Sequence, residues 1–290
     1  VYANEHISKI MLGDFSHERL LMLFYSNLIA MIACSLRGAC FTYSQNCMNI
    51  RLRKIIYDKL KQCRLFNVMD KNDGLKIDNK NYDNFEQFLS NLSHNKRKKI
   101  KQERKKINNL NIEVITKQGN LICDEDIEFF YACYCNTYML HNSSPYLTKE
   151  FFYQLNKNMP NKLVFIFAEK EGRRIASALN VISEQSLYGR YWGALARVDC
   201  LHFEACYYQP LVWCLQNGVQ RFEGGAQGEH KMARALMPVM THSAHGVADT
   251  RFAQAIGQFL EREGRGVDNY MEHLGQRTPY KPANDLAAME

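Results

Sequence analysis

Between Ser186 and Lys231 the chain concentrates side chains that can move protons. His202 and Glu204 stand two positions apart, Glu223 follows, and Glu229, His230 and Lys231 are consecutive behind Gly224-Gly225-Ala226-Gln227-Gly228. Tyr188, Tyr191 and Tyr208 add phenols to the same stretch. Carboxylates and imidazoles can take a proton from an ammonium, and phenols can donate to an oxyanion or a leaving group. The backbone amides of a glycine-rich turn can approach an anion closely. That inventory suits acyl transfer to an amine. The expected catalytic groups are Glu204, His202, Glu223, Glu229 and His230, and the expected substrate contacts are Tyr188, Arg190, Tyr191, Trp192, Tyr208, Gln227 and Lys231. Gly224, Gly225, Ala226 and Gly228 would cradle a phosphate-bearing donor.

Structural readings compete with several of these. Glu204 and Tyr208 are four apart, the spacing at which two helical side chains meet, so they could simply bond each other. His202 suits a cap or a packing position near a helix start. Phe203, Tyr207, Leu211 and Leu215 fall on one helical stripe, which reads as core. Other chemistries fit less well. No Walker-type loop or Gly-x-Ser-x-Gly elbow occurs, and no serine or cysteine sits in a recognisable nucleophile arrangement, which disfavours a covalent acyl-enzyme. Cys133-x-Cys135 with His141, and Cys200-x-His202-x3-Cys206, lack the paired geometry of a closed zinc site, and no metal is expected.

Elements must position these groups, and their periodicities predict an α/β chain. Leu20–Leu36 is the most apolar run, but Ser26 and Asn27 interrupt it and it falls short of the roughly 20 residues needed to cross a bilayer. It reads as a core helix, followed by a short strand at 40–43 and a second helix over Asn46–Leu65. The polar run Met69–Asn84 reads as a linker, dividing 1–83, a partial amino-terminal half, from a catalytic domain over 84–290. A single long helix starting at Phe85 follows, with apolar residues through Ile107. Eight lysines and arginines crowd Lys96–Lys106, which accounts for the net charge of +7 and offers tRNA or nucleotide phosphates a contact.

A strand at Ile112–Ile115 comes next, then a helix over Asp124–Leu140 and a shorter helix that Thr148 can cap. Strands at 163–168 and 174–182 turn at Glu171-Gly172, and a third strand runs from Ser186 to Trp192. A helix over His202–Asn217, a strand over Gln220–Gly225, a final strand within 237–246 and an amphipathic helix over Asp249–Glu263 complete the pattern. In that last helix Phe252, Ile256, Phe259 and Leu260 should face inward, and the residues after it read as a tail. Cysteines scattered through apolar contexts, with no secretory signal, suit reduced thiols and a cytoplasmic setting, including the inner membrane surface.

These elements carry a family resemblance. Leu92–Val114 resembles the helix-to-strand entry of the second GNAT-like domain in FemAB-type aminoacyl transferases. Tyr146-Leu147-Thr148, Tyr188-Gly189-Arg190-Tyr191-Trp192-Gly193, Leu201-His202-Phe203-Glu204, Cys206-Tyr207-Tyr208-Gln209 and Phe222-Glu223 with Gly225 to Lys231 resemble the bacterial FemAB-like N-acyltransferases of peptidoglycan biosynthesis or recognition. The resemblance covers about 84–281, and 1–65 loosely resembles the tail of a first GNAT-like domain. It implies a GNAT-like acyltransferase fold, a mixed, mostly antiparallel sheet flanked by helices. It also implies direct transfer of an acyl or aminoacyl group to an amine, with acyl-CoA or aminoacyl-tRNA as donor and no tightly bound cofactor. A non-catalytic binding module on the same fold, recognising wall precursors or RNA, and an acetyl-CoA-dependent N-acetyltransferase are the alternatives.

Two details complete the comparison with that pattern. Arg221-x-x-Gly224-x-Ala226 fits the pyrophosphate pattern of the acetyl-CoA enzymes, but follows the fifth predicted strand where theirs follows the fourth. Pro210 stands where the family pattern has glycine, and should kink the helix or end it early because it removes a backbone donor.

Overall fold

The structure is a computed structural model and describes residues 41–44, 68–183, 185–225, 229–246 and 250–282. The helices expected over Leu20–Leu36 and Asn46–Leu65 lie outside these. In chain order the elements are β1 (Phe41–Ser44), β2 (Val68–Asp78), α1 (Phe85–Ser90), α2 (His94–Asn109), β3 (Ile112–Gln118), α3 (Asp124–Leu140), α4 (Lys149–Asn158), β4 (Leu163–Lys170), β5 (Arg173–Ile182) and β6 (Ser186–Ala194). Then come α5 (Leu201–Phe203), a π-helical turn (Glu204–Tyr208), α6 (Gln209–Gln216), β7 (Arg221–Glu223), a 3₁₀ turn (Glu229–Arg234), β8 (Met237–Gly246) and α7 (Thr250–Gly275). By contacts the chain forms two units, one of 1–72 with 240–269 and one of 73–239 with 270–290, so the division falls elsewhere than at residue 83. In the first unit β1 pairs antiparallel with the end of β8, Phe41 opposite Gly246.

The second unit is α/β, built on a mixed and mostly antiparallel sheet in the order β2-β7-β6-β5-β4-β3. Its most buried strand, β4, lies next to the edge strand β3; the first six residues of β4, Leu163 to Ala168, are all buried, as a strand covered on both faces must be. Alternation sends their side chains to opposite layers. Phe165 packs edge-on to Phe130 at 5.2 Å, and Phe130 meets Phe152 at 5.0 Å, which fixes α3 and α4 on one face. Val164 and Ile166 face the other way. Val164 joins Tyr207, Leu211, Trp213 and the apolar faces of α1 and α2, while Ile166 packs on Ala205. Each of the fully buried phenylalanines contributes roughly 2–3 kcal/mol through burial. The β4–β5 turn has Glu171 and Gly172 both at positive φ, 52° and 72°, the geometry of a two-residue hairpin turn that matches the strand twist.

Several expectations need correction. The polar run at 69–84 is not a linker: it supplies β2, in which Leu75 and Ile77 are buried while Lys76 and Asp78 pair with each other on the opposite face. Alternation over so few residues is easily hidden among polar neighbours. The single long helix is two, because the chain breaks at 91–93, where Leu92 is fully buried and Ser93 donates its backbone N–H to the Pro279 carbonyl at 2.9 Å. Residues 274–281 are therefore no tail. Leu274 is buried, the Lys281 N–H donates to Asn91 O at 2.9 Å, and the Tyr280 hydroxyl donates to Ala235 O at 3.1 Å. In α7, Ala253 is buried, whereas Phe252 and Phe259 are 66% and 54% exposed rather than inward.

Candidate active site

The sheet opens where β7 leaves β6. Their parallel register covers only Ser186–Tyr188 against Arg221–Glu223, while β6 continues to Ala194 without β7 alongside. The β5–β6 register also slips here: Leu179 faces Tyr191 and Asn180 faces Gly189, so Arg190 is an extra residue that bulges the strand. The gap becomes a cleft of about 530 Å³. Ala178, Leu179 and Asn180 line it from β5, and Gly189, Arg190, Tyr191 and Trp192 from β6. His202, Cys206 and Tyr207 come from the helical stretch, and Gly224, His230 and Lys231 close it.

This brings together Arg190, Tyr191, Trp192, His202, Gly224, His230 and Lys231 of the expected residues. Tyr188, Glu204, Tyr208, Glu223 and Gly225 do not line the cleft. Glu229 opens the 3₁₀ turn, and Ala226, Gln227 and Gly228 lie outside the described residues. Tyr207 and Asn180 are lining residues that sequence reasoning missed. Asn180 carried a signal, an amide between Leu179 and Val181 in an apolar strand; it is buried and donates to Val164 O at 3.3 Å. Tyr207 does belong to the predicted core stripe, but its hydroxyl reaches the cleft.

The proton-handling groups are close to one another. The Tyr207 hydroxyl lies 3.4 Å from His230 Nε2, and the His202 ring meets Trp192 and Tyr207 edge-on at 5.5 Å and 5.4 Å. Burial first, then the cations of Lys231 and Arg234, depresses the His230 pKa below the usual histidine value. Burial first, with His230, Lys231 and Arg234 adding to it, lowers that of His202 to about 4. Burial raises the Tyr207 phenol above its ordinary range. Near pH 7 the cleft therefore holds two neutral imidazoles and a protonated phenol beside the Lys231 ammonium, which donates to Gly224 O at 2.8 Å.

Comparison with known proteins gives the decisive observation. The model of the FemAB-like family, described as peptidoglycan biosynthesis/recognition, matches residues 47–282. The chain belongs to the FemAB-like family. Among solved structures FemX is similar, with 9% identity over 83% of this chain and 79% of its own and a TM-score of 0.51, which shows a shared fold. The C-terminal domain of a lysylphosphatidylglycerol synthetase candidate from Agrobacterium fabrum (9% identity, 82% and 74% covered, TM-score 0.48) is also similar. So is L-PGS from Bacillus licheniformis (10% identity, 71% and 70% covered, TM-score 0.48). No curated protein matches the chain. The fold is the mixed, mostly antiparallel sheet flanked by helices that the resemblance implied, and it is shared with FemX. Among the described residues no helix is long and apolar enough to cross a membrane.

The family motifs of this FemAB-like protein acquire physical causes. A Cβ on Gly193 would stand 2.0 Å from the Cys133 carbonyl oxygen, so glycine is what lets α3 touch β6. The Asn136 and Thr137 side chains of α3 donate to the Ala194 and Trp192 carbonyls at 2.7 Å and 2.9 Å. Gly224 is constrained too, a Cβ there meeting Leu236 at 2.4 Å. Within the acetyl-CoA-like pattern, the Gly224 amide donates to Leu75 O at 2.8 Å and the Arg221 side chain pairs with Asp78.

Glu204 and Tyr208 do not bond each other. Glu204 pairs with Arg104 of α2 at 3.0 Å and accepts from Gln209 at 2.7 Å, while the Tyr208 hydroxyl donates to Glu103. Pro210 neither ends nor interrupts the helical run. The π-turn before it bonds the Gln209 N–H back to Glu204 O, five residues away, and α6 begins around the proline.

Proposed function

We propose that this FemAB-like chain is an N-acyltransferase in which an amine attacks the ester or thioester carbonyl of a donor directly, with no acyl-enzyme. The observation that carries the reading is the Tyr207–His230 pair, 3.4 Å apart in a cleft opened by the parting of β6 and β7. The free amine attacks the acyl carbon, and the neutral His230 imidazole takes a proton from its nitrogen as the C–N bond forms. Tyr207, kept protonated, hydrogen-bonds the developing oxyanion, gives its proton to the leaving oxygen or sulfur as the bond to the acyl carbon breaks, and regains a proton from the His230 imidazolium beside it. The Arg190 and Lys231 cations at the cleft suit an anionic donor or acceptor. The family description supports peptidoglycan biosynthesis or recognition as the setting.

The donor is tested by mass-detected transfer from acyl-CoA and aminoacyl-tRNA to amine-bearing wall precursors. Tyr207→Phe and His230→Ala should each lower kcat about 10²- to 10⁴-fold. Wild-type turnover in both would sink the assignment. A second observation favours the aminoacyl-tRNA arm over the acyl-CoA arm. Arg97, Lys98, Lys101 and Lys105 lie along one exposed groove of α2, where a polynucleotide backbone could run. Binding of tRNA that is insensitive to salt, or unchanged when these residues become alanine, would count against that arm.

A further inference from the structure

The 3₁₀ turn that carries His230 has only six residues, and i to i+3 bonding holds such turns poorly. Side chains fix it instead. Arg234, with its side chain only 3% exposed, reaches back and donates from Nη1 to the His230 carbonyl at 2.7 Å. Its Nη2 donates at 2.7 Å to Oε1 of Glu103, whose Oε2 accepts from Tyr208. The guanidinium carbon lies 3.3 Å from the centre of the Phe203 ring, and that ring in turn meets His202 at 5.7 Å and His230 at 6.4 Å. Among the described residues Arg234 Nε has no hydrogen-bond partner. The guanidinium is thus oriented for these contacts at the cost of one unmet donor, as expected where placement outweighs stability.

We propose that Arg234, held by Glu103 of α2, is a positioning residue that fixes the His230 ring beside Tyr207 in the cleft. The proposal rests on the reading of that pair as the proton-handling groups. His230 faces Lys231 and Arg234 of its own turn, Tyr207 and His202 of the helical stretch, and Arg190 across the cleft, with Glu103 acting through Arg234.

Three variants of the full chain, Arg234→Met, Arg234→Lys and Glu103→Gln, are compared by His230 ring titration in NMR, by the nuclear Overhauser contact between the His230 and Tyr207 rings, and by kcat and KM. Arg234→Met should lose the ring contact, raise the His230 midpoint because a cation is removed, and lower kcat about tenfold to a hundredfold with KM little changed. Arg234→Lys keeps the charge but cannot span both partners, so its midpoint stays low while contact and kcat fall. Should Arg234→Met not fold, Glu103→Gln carries the test, with a weakened ring contact and a smaller loss of kcat expected. An intact ring contact with unchanged kcat in the folded variants overturns the proposal. Full activity in His230→Ala would instead remove the catalytic reading, while the ring contact would still decide whether Arg234 positions the turn.

Discussion

The two walls of the cleft are built differently. The β5–β6 wall leans on α3 through close backbone approach and edge-to-face aromatic contacts, with Gly193 touching the Cys133 carbonyl and Tyr191 packed edge-on against Tyr134 and Phe152 at 5.2 Å and 5.9 Å. The opposite wall, the π-turn and the 3₁₀ turn, is held by charges reaching from α2: Arg104 to Glu204 and Glu103 to Arg234. Apolar packing is dense, non-directional and intolerant of added volume. Buried ion pairs add little net stability but place their partners closely. The first wall is accordingly expected to set stability, and the second to set the geometry of the reacting groups.

Four experiments would sharpen or break that contrast. Gly193→Ala should have the largest effect, a destabilisation of about 3 kcal/mol or more in denaturant titration, because neither the strand nor the helix backbone can yield cheaply. A normal midpoint would show that α3 does not bear on β6 as described. The stability of the wild type should next decline with acid. His202 titrates at about 4 when folded and near 6.5 when unfolded, so below pH 6.5 the unfolded chain binds the proton first and stability falls until about pH 4. The loss amounts to about 3 kcal/mol at most, and His202→Leu should flatten that part of the profile. Glu204→Gln should cost about 1–2 kcal/mol, since it removes the charge from a bond to Arg104 but keeps its shape. A larger loss of kcat than of stability would sharpen the division between the walls. Lys98→Ala and Lys105→Ala, on the exposed side of α2, should change stability by less than about 0.5 kcal/mol; thermal denaturation would show whether the outer face of that helix matters to the fold.

What could be read from the sequence divides along the same line. The bounds of α3, the Thr148 cap, the Glu171-Gly172 turn and the strands around it all follow from local pattern, since period, capping oxygen and turn residues lie within a few positions of one another. The cleft's β6 wall, with Arg190, Tyr191 and Trp192, was legible for that reason. The other wall was not. Glu204 lies 100 residues from Arg104, and Tyr208 lies 105 from Glu103, so the adjacent i, i+4 pairing was the reading that spacing favoured. Nor does composition announce a π-turn, and without one Tyr207 reads as core alone. Strand β2 was hidden because only Leu75 and Ile77 alternate within a run otherwise dominated by Asp, Asn and Lys.

The π-turn at Glu204–Tyr208 holds one residue more than an α-helical turn would need, and one residue is worth about 100° of rotation about the helix axis. It works as a phase shifter: it lets one helical run offer His202 and Tyr207 to the cleft while Glu204 and Tyr208 reach α2. Deleting a single residue there would restore a regular period yet rotate everything upstream against everything downstream. In a library of engineered variants, chain length at this turn should therefore be less forgiving than residue identity.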